Sequence, residues 1–137
     1  MTVSQRQIEA LAAFRHALRR FLAFSEEATG AAGITAQQYQ ALIAIKARPR
    51  GAMRLGELAD EMLLKKHGAV QLVDRMEAAK LVERRAAKTD ARVVNVLLTE
   101  KGERIVQTLA ALHLDQLARR KKQFADILRQ MKHVSTA

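Results

Sequence analysis

The chain has 137 residues, a length that suits one compact domain and needs no disulfide or metal staple. Apolar residues make up 49% and charged residues 28%, with one proline and six glycines, which excludes a disordered chain and favours helix. Lys and Arg outnumber Asp and Glu by 24 to 14, and the resulting charge of +10 points to a polyanionic partner, of which nucleic acid is the commonest. Cysteine is absent, which excludes disulfide frameworks, thiolate zinc sites, cysteine nucleophiles and sulfur-based oxidant sensing. No apolar run is long enough for a membrane span or a signal peptide, so the expected location is soluble and cytoplasmic, with no membrane partner.

Ser4 and Gln7 form a capping box that opens the first predicted helix. Leu11, Phe14, Leu18 and Phe21 repeat along it at spacings of three and four, and Ile8 and Leu22 widen the stripe beyond what one packed face needs. Gly30 and Gly33 end that segment. Thr35 and Gln38 make a second capping box, and the helix they open carries Tyr39, Leu42, Ile43 and Ile45 and stops before Pro49. Arg50-Gly51 is a turn.

Leu55 to Met62 is a short amphipathic helix, and Leu63-Leu64 a tight joint. The next helix runs from about Lys65 to Lys80, with Ala69, Leu72, Val73 and Met76 on its buried face and Lys66, His67 and Gln71 on the opposite one. The period then changes. Residues 81–85 and 93–98 are β-branched and apolar, and Lys88 to Ala91 between them reads as a turn, so the sequence predicts a β-hairpin here and no other strand. Thr99 caps a C-terminal helix whose stripe of Ile105, Leu109, Leu112 and Leu117 is interrupted by Arg119-Arg-Lys-Lys122. That basic run is expected to end one helix and start the next, with Phe124, Ile127, Leu128 and Met131 on the second.

Two short helices joined tightly and followed by a hairpin describe a winged helix-turn-helix, in a mostly α chain of α+β class. In that arrangement the second helix enters the major groove, where Lys can reach guanine O6 and N7 and Gln adenine N6 and N7. The hairpin, or wing, can place a cation at the neighbouring minor groove.

At this point the sequence resembles the MarR family of transcriptional regulators. The matching stretch is LADEMLLKKHGAVQLVDRMEAAKLVER, from Leu58 to Arg84, followed by Asp90-x-Arg92, Leu98-Thr99 and Gly102 in the wing and beyond it. Three positions depart from the family pattern. Lys80 stands where glycine usually ends the recognition helix, so a left-handed cap there costs about 1 kcal/mol. Leu63 replaces a small turn residue, and Lys65 a Ser, Thr or Pro at the helix start.

The resemblance implies a homodimer in which residues 1–34 and 99–137 form a helical dimerisation region, with 35–98 as the winged DNA-binding region. It implies two recognition helices reading half-sites about 10 bp apart on pseudo-palindromic double-stranded DNA. Lys65, Lys66, His67 and Gln71 are the candidate base or phosphate contacts. Arg75 either anchors phosphate or braces the wing. Asp90 and Arg92 are expected to pair, with Arg92 reaching the minor groove, while Arg84, Arg85 and Lys88 add phosphate contacts. The family resemblance also implies a small anionic or aromatic effector, with His16, Arg19, Arg20 and Tyr39 as candidate lining residues. None of the histidines 16, 67, 113 and 133 has ligand spacing, and no nucleophile motif, phosphate loop or carboxylate pair appears, so neither a metal, a cofactor nor an enzyme is expected. The function expected is a DNA-binding regulator, more a repressor than an activator. Its rivals are a winged-helix protein-interaction module and a sequence-tolerant architectural DNA binder.

Overall fold

Side-chain caps mark where the helices begin. A computed structural model describes residues 2–131. Ahead of helix α1 (Gln5–Ala31), Ser4 Oγ accepts from the Gln7 N–H at 3.1 Å while Gln7 Oε1 accepts from the Ser4 N–H at 2.9 Å. Thr35 and Gln38 repeat the reciprocal pair ahead of α2 (Ala36–Lys46). Gly33, at φ +81°, closes α1 with the Ile34 N–H bonded back to the Thr29 carbonyl, a left-handed ending that glycine adopts without a Cβ penalty.

After α2 come β1 (Ala52–Arg54), α3 (Leu55–Glu61), α4 (Lys66–Ala78), β2 (Val82–Ala86), β3 (Val94–Leu98) and α5 (Glu100–Gln130). The three strands form an antiparallel sheet in the order β1-β3-β2, with Met53 opposite Val96 and Arg84 opposite Val96 on the other side. The sequence predicts the β2–β3 hairpin but not β1. Three residues with one buried side chain, Met53, are too few for an alternating pattern to register, and the pairing with β3 is what makes them a strand.

The C-terminal helix also differs from expectation. Arg119 to Lys122 neither ends nor starts a helix, because α5 runs unbroken through them. Nothing between Gly102 and Gln130 is glycine or proline, the residues around the run are strong helix formers, and Arg119 pairs with Asp115 one turn back at 3.0 Å.

Helices α3 and α4 end alike, on left-handed residues that are not glycine. Leu63 has φ +55° and Lys80 φ +63°, with the Leu64 N–H returning to the Ala59 carbonyl and the Leu81 N–H to the Met76 carbonyl. Each costs about 1 kcal/mol relative to glycine, as the sequence leads one to expect at Lys80.

The chain divides into two compact units. One comprises Thr29–Ala110 and holds α2, the sheet, α3 and α4, with Leu42, Ile45, Leu58, Val73, Met76, Leu81 and Val96 buried in its core. The other comprises the described residues of Met1–Ala28 and Ala111–Ala137. The sequence places the seams at 34/35 and 98/99, whereas the packing places them within α1 and α5. Thr29 at the end of α1 and Val106 and Leu109 early in α5 are buried residues of the winged unit.

Candidate nucleic-acid interface

The buried stripe of α4 dictates what the helix shows to solvent. With Ala69, Leu72, Val73 and Met76 turned inward, Lys66, His67, Gln71, Asp74 and Arg75 are exposed. Lys65 precedes the helix in extended conformation, at φ −69° and ψ 156°, and its side chain makes no cap bond. Neither Lys65, Lys66 nor Arg75 forms an ion pair among the described residues, so their charges are available to a polyanion.

Arg84 is placed differently from the other cations of the wing. Its guanidinium lies 2.6 Å from Asp74 Oδ1 and 2.8 Å from Glu77 Oε1, and its backbone N–H donates to Glu77 Oε2 at 3.2 Å. The first strand of the wing is thereby tied to the exposed side of α4 through both acids of that helix. Arg84, rather than Arg75, occupies the bracing position. Arg85 pairs with Glu83 at 2.5 Å, and Lys88 is exposed with no ion pair among the described residues.

The loop between β2 and β3 carries the pair that the family resemblance implies. Asp90 Oδ1 accepts from the backbone N–H of Arg92 at 3.0 Å and from its Nε at 3.2 Å, and Oδ2 accepts from Nη2 at 3.3 Å. These side-chain and backbone bonds from Arg92 hold the Asp90 carboxyl below the usual carboxylate range. The Arg92 side chain remains 91% exposed, so the carboxylate aims the guanidinium without hiding it.

Sequence reasoning missed Arg54. It ends β1, and with Gly56, Ala59, Asp60, Lys66 and Arg92 it lines an open groove of about 560 Å3. No motif marks it, because only the β1–β3 pairing brings it beside the wing.

The wing is fastened at its far end by the start of α5. Thr99 Oγ1 donates to the Lys80 carbonyl at 2.5 Å, the Thr99 N–H to the Leu81 carbonyl at 3.0 Å, and Lys101 Nζ to the Ala79 carbonyl at 2.9 Å. The same threonine oxygen accepts from the Gly102 N–H at 3.1 Å and so caps α5. A Cβ at Gly102 would stand 2.2 Å from the Leu81 carbonyl oxygen, so only glycine fits.

The effector candidates fall on separate units. His16, Arg19 and Arg20 are exposed on α1, while Tyr39 is buried in the winged unit, where desolvation raises its phenol pKa. Also in the helical unit, His113 is buried with its Nε2 2.9 Å from Ser25 Oγ, and Phe21 and Phe24 meet its ring edge-on. Among the described residues no group of three His, Cys, Asp or Glu could hold a metal ion, and no helix is long and apolar enough to cross a membrane. His133 lies outside the described residues.

Residues 32–93, which contain α2, the helix pair and most of the wing, match the MarR family. Over this segment the chain is similar to MarR family regulators. A Bacillus subtilis relative described as an uncharacterized HTH-type transcriptional regulator, YsmB, is 37% identical over 76 residues, covering 56% of this chain. The chain spans about half the length of that curated relative, 52%. The crystal structure of AbsC, a MarR family transcriptional regulator from Streptomyces coelicolor, superposes with a TM-score of 0.74 at 24% identity, over 87% of this chain and 80% of AbsC. A Staphylococcus aureus MepR mutant bound to an oligodeoxyribonucleotide does so with a TM-score of 0.67 at 19% identity, over 86% and 91% of the two chains. The winged helix-turn-helix expected from the helix pair and hairpin is the fold found.

Proposed function

We propose that this protein is a MarR family regulator, a sequence-specific transcriptional repressor that binds pseudo-palindromic duplex DNA as a homodimer. The observation that carries the proposal is the joint exposure of Lys66, His67 and Gln71 on α4 and of Arg92 on the wing. Lys66 and Gln71 supply the donors and acceptors that base edges in the major groove require. Arg92, aimed by Asp90, suits the narrower minor groove alongside, where negative potential is enhanced. Lys65, Arg75, Arg85 and Lys88 surround these with charge for the phosphate backbone. The MepR structure with bound oligodeoxyribonucleotide supports DNA as the partner of this fold.

Dimerisation accounts for the surface of the helical unit. Ile8, Leu11, Leu18 and Leu22 on α1 and Leu112, Leu114, Leu117 and Leu128 on α5 are large apolar side chains exposed in the single chain. A second copy covers them, and twofold symmetry then sets two recognition helices roughly 34–36 Å apart, one turn of duplex. Release by a small anionic effector completes the repressor cycle, with His16, Arg19 and Arg20 offering exposed donors to a carboxylate.

The test is binding to duplex fragments from upstream of the protein's own gene, at fixed salt, against random-sequence competitor. Competitor-resistant binding by a dimer, lost in Lys66→Ala and Arg92→Ala, is expected, as is partial release by benzoate. Equal affinity for every duplex would replace the repressor with an architectural binder, and no binding at low salt would leave a protein-interaction module.

A further inference from the structure

The groove lined by Arg54, Lys66 and Arg92 has a composition that neither the face of α4 nor the wing has alone. Its cations come from three separate elements: the end of β1, the first residue of α4 and the loop before β3. One carboxylate lines it, that of Asp60. Arg54 and Lys66 make no ion pair among the described residues, although acids at Glu57 and Glu61 lie close in sequence. Glu57 is occupied elsewhere: its carboxylate takes the Arg48 guanidinium at 3.0 Å and the Arg54 backbone N–H at 3.3 Å. The rest of the lining is uncharged: Gly56 and Ala59 are small, and Leu55, Leu64, Val93 and Val94 are apolar.

We infer that this groove seats a backbone phosphodiester of bound duplex DNA, and that Arg54 is the residue that fixes the strand there. The inference rests on the DNA-binding reading above and adds to it a contact that no motif marks. A polymeric phosphate fits better than a free small anion. Pockets for small molecules enclose about 70–90% of their ligand, whereas Arg54, Gly56, Asp60, Lys66 and Arg92 here are all exposed. Lys66 and Arg92 each border both the groove and the base-reading surface, so one strand can run from the groove past the start of α4 to the wing. A contact of this kind sets the register of the protein on the duplex and carries no base preference of its own.

The Arg54 side chain can be removed without disturbing the fold. Its structural bonds are the backbone N–H to Glu57 and the β1 pairing with Asn95, and both survive truncation. The experiment measures affinity against salt for full-length wild type, Arg54→Ala, Arg54→Lys and Lys80→Gly, on a random duplex and on the upstream fragment, with thermal midpoints recorded in parallel. Arg54→Ala is expected to weaken both duplexes alike, about fivefold at low salt, and to lower the slope of log K against log salt by about 0.9. Arg54→Lys should restore most of the slope, and Lys80→Gly, which alters no charge in the groove, should leave it unchanged. An unaltered slope in Arg54→Ala, with wild type binding normally, overturns the phosphate seat and leaves the repressor standing. A loss confined to the upstream fragment overturns it too, because it would make Arg54 a base reader. Failure of wild type to bind any duplex removes the DNA reading itself, and the seat with it.

Discussion

The two units bury their apolar residues to very different degrees. In the winged unit the large side chains are inside: Leu42, Ile45, Leu58, Met76 and Leu81 are fully buried. In the helical unit the buried apolar positions are Ala10, Ala17 and Ile127, while Leu11, Leu18, Leu22, Leu114 and Leu128 stand in solvent. Composition does not separate the two, since both are rich in leucine and alanine; the difference lies in what a single chain can cover. A three-stranded sheet and three short helices close around a core of their own. Two long helices have more stripe than one another's faces can hide, and the surplus leucines are left in solvent in the single chain.

The largest expected effect falls on the helical unit. Leu18→Glu combined with Leu22→Glu should weaken self-association by roughly a thousandfold, from about 4 kcal/mol of lost apolar burial, with near-normal secondary structure. Sedimentation equilibrium with circular dichroism checks this, and a dimer as tight as wild type would erase the contrast between the units. Gly102→Ala addresses the winged unit instead. The added methyl collides with the Leu81 carbonyl, so a loss of about 3 kcal/mol and a thermal midpoint lower by roughly 10 °C are expected. A midpoint within a degree or two of wild type would mean the α5 start can slide.

A smaller effect is expected of Arg84→Ala, about 1 kcal/mol, because its pairs with Asp74 and Glu77 are partly exposed. If Arg84 braces the wing, chemical denaturation will register that loss while the salt slope of DNA binding stays put; a slope lower by about 0.9 would return it to the phosphate contacts. The smallest effect is the titration of Asp90. Its folded pKa is depressed, so the stabilisation from its bonds to Arg92 is present above the ordinary Asp value of about 3.9 and fades as pH falls through the lowered one. Carboxyl NMR shifts should place the Asp90 midpoint below the ordinary value in wild type and near it in Arg92→Ala. Equal midpoints in the two would show that the pair does not hold the wing in solution.

Local signals were legible wherever a few adjacent residues decide the outcome. The capping pairs at Ser4 and Thr35, the Thr99 start and the inward stripe of α4 each sit within one or two turns of chain, whereas the Asp90–Arg92 pair was legible only through the family resemblance. The left-handed Lys80 was legible through the family resemblance, by the glycine it lacks. What escaped depends on partners distant in sequence. Strand β1 exists because β3 offers it an edge more than 40 residues later, and Arg54 joins Lys66 and Arg92 only because β1 exists. The basic run in α5 misled for a converse reason: four cations in a row look like an ending, but with no glycine or proline nearby the helix has no cause to stop.

The three residues that follow α4 have carbonyls claimed by residues some 20 positions later, with Thr99 holding Lys80 and Leu81, Lys101 holding Ala79, and Gly102 packed against the Leu81 carbonyl. Helix ends ordinarily fray, and a frayed end must be re-ordered whenever a partner arrives. This one is spliced shut. The Lys80 and Leu81 N–H groups donate to the Glu77 and Met76 carbonyls within the segment so held, so their amide exchange should proceed only as fast as the winged unit as a whole comes apart. Association with DNA then sacrifices little backbone entropy at that end, and its ordering cost falls on a few long side chains.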